Sequence, residues 1–553
     1  MTSDTITVRH RTAWNSELPA FSARSFRELA GGSVAGPSAP AGFADTQIPV
    51  SGTTLAQCVY LSGVFAPPAL CSGLGRCGLC RVRFLSAPPP VLDGEKAILS
   101  HHDLEAGWRL ACRHAPQAGA RILIPALPVK PVAASPDAAP PGGTPFGLAV
   151  DLGTTSIHWR LVDPGGADAA RNLPRGMMTN PQMGAGSDVV SRIAYAAHGE
   201  GAAKLHRLVT DSLVRVVATC EAEGRRVAAL CVAANPAMTA IFLGRDTRSL
   251  AAAPYSLPCA GNMTVTVAGL PPAYVPPQLS PFVGGDSSAG YAALALDPDL
   301  PPPEYPFLLA DLGTNGECLL ALSPAEALAA SLPMGPALEG VNLAYGSAAV
   351  PGAVTAYALT PGGLEPSVMG GTAPTGITAT GYLSLLRILR LSGIISEDGL
   401  FTRGGADRLR ERIGEGDQGG PERSIRLPGR MALYASDVEE ILKVKAAFSL
   451  AVSSLLEAAS LPAAKLSRIY LAGSLGMNAP VNALTALGFV PPGVDARITA
   501  AGNTSLAGAA LFLRRGNVRA ACARWAGGVS TLDLASDPAF GEAFARHMTF
   551  TWR

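Results

Sequence analysis

No run of about 18 uninterrupted apolar residues occurs in this chain, although 48% of its 553 residues are hydrophobic. No segment therefore reads as a membrane-spanning helix. The richest stretch, Val227 to Leu243, is broken by Asn235 and Pro236. No apolar core follows Asp4, Arg9, His10 and Arg11, so the N-terminus does not read as a secretory signal. Charge is scarce and balanced: 15% of residues are charged and the net is +1. That excludes a dominant basic field and argues against nucleic acid as a partner. Glycine and proline are plentiful, at 61 and 47, but below a disordered composition. The length exceeds what one core supports, so several domains are expected.

The ten cysteines are unevenly placed. Four sit close together at ligand spacing, and the rest are scattered, which predicts a cytoplasmic metal protein rather than a disulfide scaffold. Residues 1–44 are polar and weakly patterned, and read as an N-terminal extension. Residues 45–126 form a small cysteine-bearing unit. Residues 127–145 are a Pro/Ala-rich linker that would let this unit move. Beyond Phe146, buried strands (Gly147–Val150, Phe307–Ala310, Ile469–Ala472) alternate with helical segments, which predicts an α/β architecture. Asp437 to Ala459 has helical periodicity, with Ser436 or Asp437 as its cap.

Cys71, Cys77, Cys80 and Cys112 follow the pattern C-x5-C-x2-C-x31-C. Four thiolates can hold two irons, and Gly73, Gly75 and Gly78 let backbone N–H groups approach inorganic sulfide. The spacing is close to the plant-type [2Fe–2S] pattern, with one extra residue in the first gap. A four-cysteine zinc site is the alternative, but only Cys77–Cys80 forms a Cys-x-x-Cys knuckle. Thr53 to Leu55 and the Arg81–Phe84 strand fit a ferredoxin β-grasp. Cys58 reads as core, and His101, His102 and His114 as surface residues or supports of the ligand loops.

Asp151-Leu-Gly-Thr-Thr-Ser156 follows one buried strand, and Asp311-Leu-Gly-Thr-Asn-Gly-Glu317 follows another 160 positions later. The repeat implies duplicated halves. Each turn offers N–H groups and hydroxyls to phosphate oxygens, and each aspartate can hold Mg²⁺ through water. Leu471-Ala-Gly-Ser-Leu-Gly-Met477 is a glycine-rich strand end that permits close approach of a flat adenine or ribose, and the three elements together predict nucleotide binding.

Taken together, these motifs resemble the reductive activators of corrinoid enzymes. That family joins a plant-type [2Fe–2S] domain to an ATPase domain of the acetate and sugar kinase/Hsp70/actin superfamily. The likeness extends to Asn180-Pro-Gln182, Asp188-Val189, Ser191-Arg192-Ile193, Asn235 with Met238, Phe282 to Asp286, Gly335 to Gly340, Gly502-Asn503 and Gly508-Ala509. The implied fold is an α+β and α/β multidomain protein. It has a β-grasp ferredoxin-like domain (45–126), a linker, and duplicated actin-like, ribonuclease H-like ATPase subdomains (146–300 and 301–515). A C-terminal extension (516–553) follows.

The resemblance implies ATP-dependent reduction of Co(II) to Co(I) on a corrinoid protein or cobalamin-dependent methyltransferase. It implies an upstream electron donor, a homodimer and no membrane. In this reading Cys71, Cys77, Cys80 and Cys112 ligate the cluster, and Asp151 and Asp311 position Mg²⁺ or water. Gly153, Thr154, Thr155, Gly313, Thr314 and Asn315 contact phosphates. Gly473, Ser474 and Gly476 line the adenosine side, with Glu339 as a polar contact in the cleft. Asp286 stays ambiguous between catalysis and structure. The rival readings are an electron donor to another low-potential metalloenzyme, an ATP-binding redox sensor and a simple kinase. The kinase reading leaves the cysteines unexplained.

Overall fold

The computed structural model describes the chain apart from residues 1–3, 13–38, 41, 69, 126–144, 166–172, 314, 336, 341, 372, 403, 405–408, 410, 411, 416–422 and 430. Most of the expected N-terminal arm, and the expected linker up to residue 144, lie outside the described residues. The chain divides into two compact units. One is Met1–Val132 with Thr179–Ser212, and the other is Ala133–Met178 with Leu213–Arg553.

The first unit is built on a five-stranded sheet. Its strands are β1 (Thr5–Arg11), β2 (Phe43–Pro49), β3 (Arg81–Phe84), β4 (Trp108–Leu110) and β5 (Arg121–Leu123), in the order β2-β1-β5-β3-β4. β1 runs antiparallel to β2 and parallel to β5. Helix α1 (Leu55–Tyr60) is capped by Thr54, whose hydroxyl accepts the Gln57 N–H at 3.2 Å. Ile6, Val8, Val59, Val82, Trp108 and Ile122 fill the core.

Residues 5–11 are thus an interior strand of this sheet and not part of an extension. The strand was hidden by its polar content. Arg9 is fully buried, because its guanidinium makes two bonds, of 2.7 and 2.8 Å, to the Asp45 carboxylate. That pairing, strengthened by its charge, holds Asp45 below the usual carboxylate range against the opposing effect of burial. A second boundary also moves. Thr179–Ser212, expected in the first ATPase subdomain, belongs to the ferredoxin unit. It contains α2 (Val189–Ala196) and the start of α3 (Gly201–Ala222).

The second unit contains two six-stranded sheets. The first uses β6 (Phe146–Leu152), β7 (Ser156–Val162), β8 (Arg175–Thr179), β9 (Val227–Ala233), β10 (Met263–Val265) and β11 (Ala273–Val275), in the order β10-β11-β9-β6-β7-β8. The second uses β12 (Phe307–Leu312), β13 (Asn315–Ala321), β14 (Ala327–Pro333), β21 (Arg468–Ala472), β22 (Ile498–Gly502) and β23 (Val529–Leu532), in the order β22-β21-β12-β13-β14-β23. Two three-stranded sheets separate β14 from β21 in the chain. They are β15 (Ala353–Thr360) with β16 (Gly363–Val368) and β17 (Gly376–Ile377), and β18 (Ile413–Glu415) with β19 (Arg423–Leu427) and β20 (Met431–Tyr434).

The duplication is visible in the pairing. β6 pairs antiparallel with β7 and parallel with β9, as β12 does with β13 and β21. Helices α4 (Pro236–Phe242), α5 (Gly285–Ala295), α6 (Ala379–Leu391), α7 (Ala435–Ala458), α8 (Gly473–Asn478) and α9 (Thr504–Arg514) complete the repeats. Residues of α5 and α9 share one core with both sheets. Their approach is so close that a Cβ on Gly508 would lie 1.9 Å from the Ala289 carbonyl oxygen. The expected α7 begins two residues early. Asp437 is not its cap but sits in its first turn, where its carboxylate accepts the Tyr434 N–H at 3.0 Å and the Ala344 N–H at 2.7 Å.

Residues 516–553 are integral rather than an extension. In α10 (Gly516–Ala526), Val518, Cys522 and Trp525 form a buried face at helical spacing. Trp525 stacks on Tyr291 with ring centroids 3.7 Å apart. β23 adds to β14 in parallel, and the buried Lys445 amine donates to the Thr551 and His547 carbonyls at 2.5 and 3.2 Å. No helix among the described residues is long and apolar enough to cross a membrane.

Candidate functional site

Cys71, Cys77 and Cys80 lie on the connection from α1 to β3, and Cys112 lies in the turn after β4. All four line one pocket of about 130 Å³. Among the described residues no three ligating groups already converge at metal-bonding distance. The thiols instead lie in two interacting pairs, Cys71 beside Cys77 and Cys80 beside Cys112. The interaction with Cys77 lowers Cys71 to about 5, and the same interaction, with burial, raises Cys77. Cys80 likewise lowers Cys112 and is itself raised.

Backbone N–H groups point into the pocket. Those of Gly75, Arg76 and Cys77 reach the Cys71 sulfur, that of Leu79 reaches Cys77, and Gly75 also serves Cys112. Gly78 has φ +66°, and a Cβ there would lie 2.9 Å from both the Arg81 guanidinium and the Ile98 methyl. The loop therefore requires glycine at this position. Four thiols in two pairs, ringed by N–H donors, fit the donor set of a [2Fe–2S] cluster.

The surrounding residues divide clearly. Cys58 is fully buried in the core, as expected, and does not line the pocket. His101 and His102 are exposed. His114 is buried and bonds the fully buried Glu95 at 3.0 Å. Glu95 also accepts the Leu110 N–H at 2.7 Å and the Leu92 N–H at 2.9 Å. This network braces the chain on either side of Cys112. Glu95 carried no sequence signal, because an isolated glutamate reads as surface.

In the second unit, Asp151 lies near the end of β6 beside Ala233 of β9, and Asp311 lies near the end of β12 beside Ala472 of β21. After β9, Asn235 caps α4 and donates from Nδ2 to the Thr154 hydroxyl at 3.2 Å. After β21, Gly473 has φ +80°, and a Cβ there would lie 2.5 Å from Asp311 Oδ1. Asp151 accepts from Asn503 Nδ2 at 2.7 Å and Ser505 Oγ at 3.0 Å. Asn503 also caps α9. Gly153, Thr154 and Thr155 form the β6–β7 turn, and Gly313 donates its N–H to the Asn315 carbonyl in the β12–β13 turn. Thr314 lies outside the described residues, as do the side chains of Glu339 and Ser474. Gly476 packs against the Leu471 backbone, where a Cβ would lie 2.8 Å from the carbonyl carbon.

Two carboxylates join the expected pair. Glu317 sits opposite Asp311 across the β12–β13 ladder, and Asp286 opens α5. Burial pushes Asp286 and Asp311 up to about 7, with the Asp151 charge adding to it in both and the Asp286 charge adding further in Asp311. Burial, followed by the Asp286 and Asp311 charges, raises Glu317 well above its ordinary range. Asp151 is raised by burial against the hydrogen bonds from Asn503 and Ser505. Buried carboxylates that raise one another's pKa in one cluster are poised to hold a divalent cation or to orient water. Glu317 stood at the end of the second quoted motif and Asn503 among the family likenesses, but neither was assigned a role.

Residues 44–117 match the 2Fe-2S iron-sulfur cluster binding domain. Residues 146–299 match the RACo middle region, and 306–552 match the C-terminal domain of RACo, the ASKHA domain. The chain belongs to the RACo family. Its fold class is accordingly a ferredoxin-like domain joined to an actin-like ATPase-type domain, and its cofactors are a [2Fe–2S] cluster and ATP.

Among relatives of this RACo chain, the corrinoid activation enzyme RamQ of Eubacterium limosum is 27% identical over 428 residues, covering 73% of this chain and 70% of that one. The [Co(II) methylated amine-specific corrinoid protein] reductase of Methanosarcina barkeri is 24% identical over 401 residues, covering 66% and 68%. The solved structure of a reductive activator for corrinoid, iron-sulfur protein covers 91% of this chain and 97% of its own. Its TM-score is 0.63 at 23% identity, and it shares the fold.

Proposed function

We propose that this protein is an ATP-dependent reductive activator that returns the Co(II) of a corrinoid methyltransferase protein to Co(I), one electron at a time. The observation that carries the reading is the pairing, in one chain, of a four-thiol pocket ringed by N–H donors with a duplicated pair of strand-end aspartates. The names of the two curated relatives support the corrinoid substrate.

Cys71, Cys77, Cys80 and Cys112 would hold the cluster in the pocket that all four line. A bound cluster supplies a one-electron store. The N–H groups of Gly75, Arg76 and Leu79 stabilise negative charge on the sulfurs that enclose it. In the cleft, Asp151 and Asp311 orient Mg²⁺ or water, with Asp286 and Glu317 beside them. Gly153, Thr154, Thr155, Gly313, Thr314 and Asn315 take phosphate oxygens. Gly473, Ser474 and Gly476 border the adenosine, and Glu339 contacts the nucleotide. Reduction of protein-bound Co(II) runs uphill, and each ~59 mV costs about tenfold in equilibrium constant. ATP offsets that only by binding the delivering state more tightly than the resting one. A low-potential redox protein supplies the electron, and the activator works as a cytoplasmic homodimer.

The test is anaerobic and optical. Reduced protein is mixed with a Co(II) corrinoid protein, with and without MgATP. Co(I) absorbance that needs MgATP, and that Cys77→Ser and Asp311→Ala each abolish, is the expected result. An intact cluster with bound ATP and no Co(I) overturns the reading.

A further inference from the structure

The segment Asn180–Ile193 carries motif residues that neither the cysteine pocket nor the carboxylate cleft uses. They bond mainly to one another. Asn180 Oδ1 accepts the Gln182 N–H at 2.9 Å. Buried Arg192 donates to the Gly186 carbonyl at 3.0 Å and to Gln182 Oε1 at 3.1 Å, while Gln182 Nε2 donates to the Leu205 carbonyl at 2.9 Å. The resulting knot places Met183, Gly184 and Ala185 in the wall of the cysteine pocket. Gly184 lies so close to α1 that a Cβ there would meet Leu61 Cγ at 2.9 Å.

At the far end of the knot the contact is polar. Ser72, next to Cys71, donates its hydroxyl to Asp188 Oδ2 at 2.6 Å and accepts the Ser187 N–H at 2.9 Å. Ser72 holds φ at +50°, a conformation that a residue with a side chain adopts only when its surroundings fix it. Asp188 is fixed in turn, since it caps α2 by accepting the Ser191 N–H and hydroxyl, each at 2.8 Å.

We propose that Asp188, acting through Ser72, is a positioning residue for electron transfer, clasping the cysteine loop to the Asn180–Ile193 segment and setting the charge environment of the cluster. The inference rests on the cluster reading above. Its two consequences are separable. The hydrogen bonds keep the Cys71 end of the loop closed over its metal. The carboxylate opposes the arrival of a further electron nearby, so losing its charge makes the cluster easier to reduce.

The experiment uses the full chain, isolated anaerobically, as wild type, Ser72→Ala, Asp188→Asn and the double variant. Asparagine is chosen because it still caps a helix. Iron release to a chelator and the cluster midpoint potential are measured, with far-ultraviolet circular dichroism and thermal melting of the full chain as the fold control. If the wild type shows no [2Fe–2S] spectrum, the cluster reading fails and takes this inference with it.

With the cluster present, each single variant should release iron roughly tenfold faster, the loss expected for a hydrogen bond to a charged group. The midpoint should rise in Asp188→Asn, and the double variant should release iron no faster than the faster single, as a shared contact requires. Unchanged release and midpoint, or effects of the two singles that multiply, overturn the clasp. If Asp188→Asn fails to fold, Ser72→Ala decides alone, through its release rate and the cluster's electron paramagnetic signature.

Discussion

Asp311→Asn should stabilise the free protein at neutral pH while it removes nucleotide response. In the folded chain Asp311 is pushed from its ordinary 3.8 to about 7, first by burial and then by the Asp151 and Asp286 charges. Between those values the folded state holds a proton that the unfolded chain has lost, so stability falls as pH rises from about 4 to 7 and then levels off. Three pH units at about 1.4 kcal/mol each bound the effect near 4 kcal/mol. Partial exposure of the Asp311 carboxylate reduces this to about 1–2 kcal/mol, or about 1–2.5 °C in melting temperature for a unit of this size. The assay is thermal unfolding in a chelating buffer from pH 4 to 8. The variant and wild type should melt together at the acid end, with the variant above by pH 7 and the gap constant beyond. MgATP should then raise the wild-type midpoint but not the variant's. A gap that is absent throughout, or widest at pH 4, refutes the account of a strained carboxylate cluster.

Three further outcomes are expected. Cys77→Ser should lose the visible cluster spectrum while ATP affinity, measured by calorimetry, stays within about twofold, because the thiol lies outside the second unit; a joint loss of both contradicts this. Gly473→Ala should weaken MgATP binding roughly tenfold and cost about 1–2 kcal/mol of stability, since its φ is left-handed and the added Cβ displaces the Asp311 carboxylate; wild-type affinity in equilibrium dialysis rejects it. Glu95→Ala strips partners from His114 and from the Leu92 and Leu110 N–H groups, and should cost about 2–4 kcal/mol. Denaturant unfolding followed at the cluster absorbance checks this, and a cost below about 0.5 kcal/mol would mean that water replaces the carboxylate.

Most of what the sequence made legible was local chemistry. The cysteine spacing and the two Asp-Leu-Gly-Thr turns are short patterns whose residue types have few other uses, and buried strands lead straight into both turns. What stayed hidden depended on partners far away in the chain. β1 looked polar because Arg9 reads as surface until Asp45, 36 positions on, is seen to pair with it. The Asn180–Ile193 motifs sat inside an α/β stretch, so their place in the ferredoxin unit needed the contacts of Ser72 and Gly184. Residues 516–553 had a readable apolar face at Val518, Cys522 and Trp525, but its target, Tyr291, lies more than two hundred positions earlier.

The two halves of the duplicated cleft are alike in topology and different in chemistry, and the difference suggests how their aspartates divide the work. Asp151 is tied by Asn503 and Ser505, both contributed by the N-terminal end of α9 from the other half of the unit. Asp311 has no hydrogen-bond partner among the described residues, and Gly473 leaves space beside its Oδ1. A carboxylate with fixed lone pairs suits holding a hydrated cation in one place. A carboxylate with open lone pairs and a pKa near 7 suits taking up a proton or orienting a water at working pH. The ties to Asp151 come from the helix that also packs against α5 through Gly508, so they link the first repeat to the half that carries Asp311. Coupling ATP to an uphill electron transfer requires nucleotide to bind one arrangement of the repeats more tightly than another, and bonds that cross from one repeat to the other are where such a difference would be felt.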